Sequence, residues 1–162
     1  EIANVKIGKP AWIKIKLNNI TSYSMIKSLY RASREGVKIQ MIVRGVCCLI
    51  PGELQMSENI EVISIVDKFL EHTRFMIFCN DNSNNVYISS ADWMTRNLEN
   101  RVEVTCPIID KKIKKEILDI FNIYWKDNVK SRYVNHPKIN KYKRNTKPSF
   151  RSQDELYSYY LK

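Results

Sequence analysis

Two short apolar runs flank a single amphipathic stretch near the start of the chain, and this pattern restricts the possible folds most. Ala11 to Leu17 (AWIKIKL) alternates apolar and basic residues, and Val37 to Val43 (VKIQMIV) is rich in β-branched and apolar side chains. Alternation with a period of two predicts a strand in the first, and the second reads as a strand too. Asn18 to Ser24 is polar and turn-like. Ser24 is placed to cap a helix running to Glu35, with Met25, Ile26, Leu29, Tyr30 and Ala32 on its inner face. Gly36 ends that helix. Interleaved strands and helices imply an α/β layered domain.

The rest of the chain continues the alternation. Pro51-Gly52 marks a loop, Ile60 to Val66 reads as a third strand, and Asp67 to Glu71 as a short helical turn. Arg74 to Cys79 and Val86 to Ser89 predict a hairpin around the polar loop Asn80 to Asn85. Arg101 to Cys106 reads as another strand, broken off by Pro107. From Asp110 to about Arg132, the spacing of Ile113, Ile117, Ile120, Phe121 and Tyr124 predicts one long amphipathic helix. His136 to Arg151 is basic and poor in aliphatic residues, so it reads as an extended arm. Ser152 to Leu161 predicts a last helix carrying Leu156, Tyr157 and Tyr160. Residues 1–162 read as a single domain.

A hydrophobic fraction of 44% excludes wholesale disorder. No run of eighteen apolar residues is present, so no membrane-spanning helix is expected. No signal peptide is read at the start, and a chain opening at Glu1 is expected to be a piece of something longer. The net charge of +10 calls for an anionic partner. Of the four cysteines, Cys47 and Cys48 are adjacent and no Cys-x-x-Cys spacing occurs, which argues against structural zinc. Three of the four sit in apolar runs and are expected to be buried, reduced thiols, which points to the cytoplasm and leaves membrane association open.

His136 precedes a proline in the basic arm and reads as a surface residue. His72 is flanked by Glu71 and Arg74, just ahead of a strand. The order His72-Thr73-Arg74, then Ser89-Ser90-Ala91-Asp92-Trp93 across the hairpin, resembles the His-x-Lys and Gly-Ser-x-Asn signature of the phospholipase D superfamily. Chemistry at phosphorus needs mostly positioning and neutralisation of oxygen charge, which such residues supply. In this chain Arg74 replaces the lysine, Ser89 the glycine and Asp92 the asparagine, and Cys79 stands where that superfamily has an aspartate.

A longer resemblance is to polyphosphate kinase, carried by Lys16-Leu17-Asn18, Gly36 to Pro51 (GVKIQMIVRGVCCLIP), Ser57 to Ile60 (SENI), Ser64 to Arg74 (SIVDKFLEHTR) and Ser89 to Glu103 (SSADWMTRNLENRVE). It runs from about residue 10 to about residue 135. It implies the C-terminal, phospholipase D-like domain of that kinase: a layered sandwich in which helices flank a mixed sheet. The family reversibly transfers the terminal phosphate of ATP to polyphosphate through a phosphohistidine in the preceding domain. By that resemblance His72 is the catalytic histidine of this domain, and Arg44, His72 and Arg101 contact the ATP phosphates. Lys16, Asn18, Ser90 and Asp92 are expected to line the pocket, while Arg96 and Arg74 read as structural or secondary charges. Arg44 also qualifies on its own, because it ends an apolar strand ahead of Gly45, and α/β sheets bind ligands at the C-terminal ends of their strands. A glycine there would let the backbone approach a ligand. Magnesium is expected in the full-length enzyme but not on this chain, and no metal site is read here.

ATP, polyphosphate and the preceding domains of the same protein are the implied partners, with a homo-oligomer of the whole enzyme left open and no specific nucleic acid. The isolated fragment is expected to be inactive. The competing reading is a stand-alone phospholipase D-like phosphodiesterase that pairs His72 with its symmetry mate in a homodimer. A nucleic-acid-binding module, motivated by charge alone, finds no DNA-reading motif.

Overall fold

The computed structural model describes residues 1–134 and 140–161. In chain order its elements are α1 (Ile2–Lys6), β1 (Trp12–Leu17), α2 (Tyr23–Arg34), β2 (Lys38–Val43), β3 (Ile60–Ile65), β4 (Phe75–Phe78), β5 (Asn85–Ser89), α3 (Thr95–Glu99), β6 (Thr105–Ile108), α4 (Lys111–Lys126), β7 (Ser131–Tyr133) and α5 (Ser152–Tyr160). The strands form one mixed sheet in the order β6-β5-β4-β1-β2-β3-β7. β1, β2 and β3 are parallel, while β4 is antiparallel to β1 and β7 to β3. The expected mixed α/β sheet flanked by helices is therefore the observed architecture.

Strand alternation sends successive side chains to opposite faces. Ile13, Ile15 and Leu17 of β1 join Ile39, Met41 and Val43 of β2 under α2, which contributes Ile26, Leu29 and Ala32. On the other face Ile42, Ile63, Ile65, Phe75 and Ile77 meet Ile117, Phe121 and Tyr124 of α4. Phe121 is fully buried, edge-on to Phe75 and stacked on Trp125. α5 lies on α4, with the Tyr160 hydroxyl donating to Glu116 at 2.6 Å.

Several expectations change. α2 begins at Tyr23, one residue before the expected cap, and Ser22 makes no side-chain cap bond. Residues 67–71 form no helical turn but an irregular loop held by side chains from elsewhere. β6 runs through Pro107 to Ile108, because it lies at the sheet edge, where a missing N–H is tolerated. α4 stops at Lys126, short of Arg132, and Ser131–Tyr133 becomes an edge strand instead. The stop is set by Asp127, whose Oδ1 accepts from the N–H groups of Val129, Lys130 and Ser131 and whose Oδ2 accepts from Ser152. Ile113, expected on the inner face, is 46% exposed, and Tyr157 and Tyr160 also face outward.

Of the cysteines only Cys79 is buried; Cys48 and Cys106 are exposed. Burial pushes the half-buried Cys47 thiol up to about 11, so it is a poor nucleophile. His136 and Lys138 of the basic arm lie outside the described residues. From Asn140 on, the arm folds back as a strap: Lys143 donates to the Trp125 carbonyl at 2.5 Å, and Asn128 bonds to Asn145, Pro148 and Phe150. Among the described residues no helix is long and apolar enough to cross a membrane.

Candidate active site

The topology brings separate loops to one edge of the sheet. Parallel β1 and β2 end there, delivering Asn18 and Arg44. Antiparallel β4 begins there, so His72 and Thr73 arrive just before it, and β5 ends there ahead of Ser90 and Asp92.

Arg44 and His72 meet directly, with Arg44 Nη2 3.0 Å from His72 Nδ1. A guanidinium only donates, so Nδ1 accepts and the proton of the neutral ring sits on Nε2. Arg44 Nε donates to Asn18 Oδ1 at 2.5 Å and to the Glu71 carbonyl at 2.7 Å. All three acceptors are neutral, and among the described residues Arg44 has no carboxylate within ion-pair distance. His72 is exposed and Arg44 is half-buried, so the pair presents a net positive edge to solvent.

Behind this pair lies a buried polar layer. Lys16 is 1% exposed, yet its ammonium pairs with Glu71 at 3.3 Å, donates to Thr73 Oγ1 at 2.9 Å, and lies 5.1 Å from the Tyr124 ring centroid. Burial pulls Lys16 below the usual lysine range, with Glu71 opposing that pull. Burial, aided by a hydrogen bond to Glu71, also holds the Tyr124 hydroxyl well above its usual range. Asp92 accepts from the Asn18 N–H and the Asn19 amide, both at 2.8 Å, and pairs with Arg74 Nε at 2.8 Å. Asn18 Nδ2 is buried with no hydrogen-bond partner among the described residues.

The structure thus gathers Arg44, His72, Lys16, Asn18 and Asp92, but in two layers. Lys16, Asn18 and Asp92 do not line an open pocket as expected; all are buried and support the exposed pair. Ser90 belongs to a neighbouring cluster: its hydroxyl donates to Glu103, which also accepts from Asn97 at 2.6 Å. Arg101 is exposed, and its charge reaches the same Glu103 carboxylate. Gly45 approaches Asn18 and Asn19 rather than a ligand-facing surface, since a Cβ there would stand 2.9 Å from the Asn18 carbonyl oxygen. Sequence reasoning passed over Glu71, Glu103 and Gln153. The only local signal for Glu71 is its place beside His72, and Gln153 has none. Among the described residues no three His, Cys, Asp or Glu side chains gather to hold a metal ion.

This geometry has known counterparts. The family model described as polyphosphate kinase C-terminal domain 2 matches residues 1–153. The polyphosphate kinase of Vibrio parahaemolyticus is 50% identical over 160 residues, which is 98% of this chain and 23% of that protein. The crystal structure of polyphosphate kinase from Porphyromonas gingivalis aligns with a TM-score of 0.95 at 43% identity, over 99% of this chain and 25% of that one. The chain therefore spans about a quarter of the length of these relatives. Nuc from Salmonella typhimurium, a phospholipase D family member, aligns with a TM-score of 0.59 at 13% identity, over 83% of this chain and 88% of that one. That likeness concerns the fold alone, and it matches the phospholipase D-like layered sheet expected from the sequence. The family match takes in every strand of the sheet and the whole edge built around Arg44 and His72, and the chain belongs to the polyphosphate kinase C-terminal domain 2 family.

Proposed function

We propose that this domain forms one wall of a phosphoryl-transfer site in which the terminal phosphate of ATP passes reversibly to polyphosphate through a phosphohistidine carried by another domain of the same protein. The observation that carries this reading is the Arg44–His72 contact at 3.0 Å, at a sheet edge where, among the described residues, the guanidinium meets no carboxylate. An approaching phosphate offers Arg44 the anionic partner it lacks, and charge-assisted bonds to phosphate are stronger than those to neutral acceptors. His72 Nε2–H can donate to a phosphate oxygen, and once Arg44 turns to the phosphate the ring is free to take a second proton and act as a general acid. Arg101 supplies a further cation from the Glu103 cluster.

The magnesium that the family resemblance implies would be held by the preceding domain rather than by residues of this chain. The stand-alone phosphodiesterase reading lacks its phosphate-holding cation, because Arg74 is already paired with Asp92. The compartment is the cytoplasm, a reading supported by four free cysteines.

The test is turnover in the full-length kinase containing this domain. Arg44→Ala should raise the barrier by about 2–4 kcal/mol, as removal of other oxyanion donors does. His72→Gln should cut synthesis by roughly 100-fold or more while nucleotide binding partly persists. Near-normal turnover of both variants, at unchanged melting temperature, would sink the assignment.

A further inference from the structure

Residues 66–74 carry His72 yet belong to no helix or strand, so no regular ladder sets their position. Their geometry is imposed from the far end of the chain. Three consecutive residues at the start of α5 each grip a different group. Arg151 holds Asp67 with two bonds, of 2.7 and 2.5 Å, and Ser152 donates twice to the buried Asp127. Gln153, only 7% exposed, accepts from the Phe69 N–H at 3.1 Å and donates to the Phe69 carbonyl at 3.0 Å and to Glu71 Oε1 at 2.8 Å. A side-chain amide paired with both the main-chain N–H and the main-chain carbonyl of one residue replaces the strand neighbour that Phe69 lacks. The other carboxylate oxygen of Glu71 meets Lys16, and its main-chain carbonyl receives Arg44 Nε. The contacts therefore run unbroken from Gln153 through Glu71 to Arg44 and His72.

We infer that Gln153 is a positioning residue for phosphoryl transfer. By fixing Phe69 and Glu71 it holds the Arg44–His72 pair in register, and this makes the first turn of α5 part of the site although it touches no substrate. The inference rests on the reading of Arg44 and His72 given above. A loosened grip would let the pair drift, and a misplacement of about 1 Å can cost on the order of 100-fold in rate.

The experiment uses the full-length kinase. Gln153→Met keeps volume and removes all three bonds; it should lower kcat by roughly tenfold or more while KM for ATP changes by less than about threefold. Gln153→Glu keeps the acceptor for Phe69 but faces Glu71 with a second carboxylate, and should be at least as slow. Adding Glu71→Gln to Gln153→Glu reverses donor and acceptor across the contact and should recover part of the lost kcat, a coupling that general loss of stability does not produce. Should Gln153→Met fail to fold, Gln153→Glu and the double variant decide. Unchanged kcat per folded molecule in Gln153→Met or Gln153→Glu, or no recovery in the double variant, overturns the inference. If His72→Gln is inactive while the Gln153 variants are normal, only this inference fails; if His72→Gln is itself fully active, the underlying reading fails first.

Discussion

Asp92 is shaped by two opposing effects. Burial pushes its carboxyl up, but hydrogen bonds from Arg74, Asn19 and the Asn18 N–H outweigh burial and hold it below the usual carboxylate range. Asp127 is balanced the same way by its bonds to Ser152, Lys130 and Ser131, and Asp67 is lowered chiefly by Arg151. A carboxylate depressed in the folded state contributes stability that is fully present above its unfolded value near about 4 and is lost as pH falls through the folded value. The melting temperature is therefore expected to hold from about pH 7 to about pH 5 and to drop below about pH 4. Asp127→Asn should flatten that acid limb, and an identical limb in the variant would show that the loss originates elsewhere. Asp92→Ala leaves Arg74 without its buried partner and should cost about 3–5 kcal/mol, read by urea denaturation.

At the level of elements, the end of β2 and the face of α4 make separable demands. Gly45 donates its N–H to the Asn18 carbonyl at 2.8 Å, and a Cβ there would meet Asn19 Oδ1 at 2.5 Å. Gly45→Ala must therefore push the ends of β1 and β2 apart, costing about 1–3 kcal/mol by overpacking. Because Arg44 is the adjacent residue, phosphate binding should weaken as well. Normal stability with normal nucleotide affinity in Gly45→Ala would contradict this account. Phe121→Ala instead empties the centre of the α4 face and should cost about 3–5 kcal/mol, with no direct effect on Arg44, which lies off that cluster. The two substitutions together distinguish site geometry from core packing.

For the molecule as a whole, a continuous core on both faces of the sheet supports a fold of this chain alone, whereas among the described residues the site has a single histidine at its edge. The purified chain of 162 residues should melt cooperatively yet make no polyphosphate from ATP; robust synthesis would contradict its proposed role as one wall of a larger site. Local patterning determined most of the elements and the expected family. Alternation identified β1, apolar runs identified β2 and β3, the polar loop between them identified the β4–β5 hairpin, and helical spacing identified α2 and the packed face of α4 around Ile117, Phe121 and Tyr124. Arg44 and His72 were legible because one ends an apolar strand and the other stands in a motif of recognisable order. The stop of α4 at Asp127 and the edge strand beyond it were not legible. The bonds from Val129, Lys130 and Ser131 to Asp127 are local, but its other carboxylate oxygen is fixed by Ser152, 25 residues away, and no local propensity encodes that contact. Nor could the sequence show that Lys16, Asn18 and Asp92 would be buried supports, since burial depends on which loops meet over them. The grip of Gln153 on Phe69 and Glu71 lies furthest from local patterning, because it exists only once the chain has folded back across 84 and 82 residues to bring α5 to the loop carrying His72.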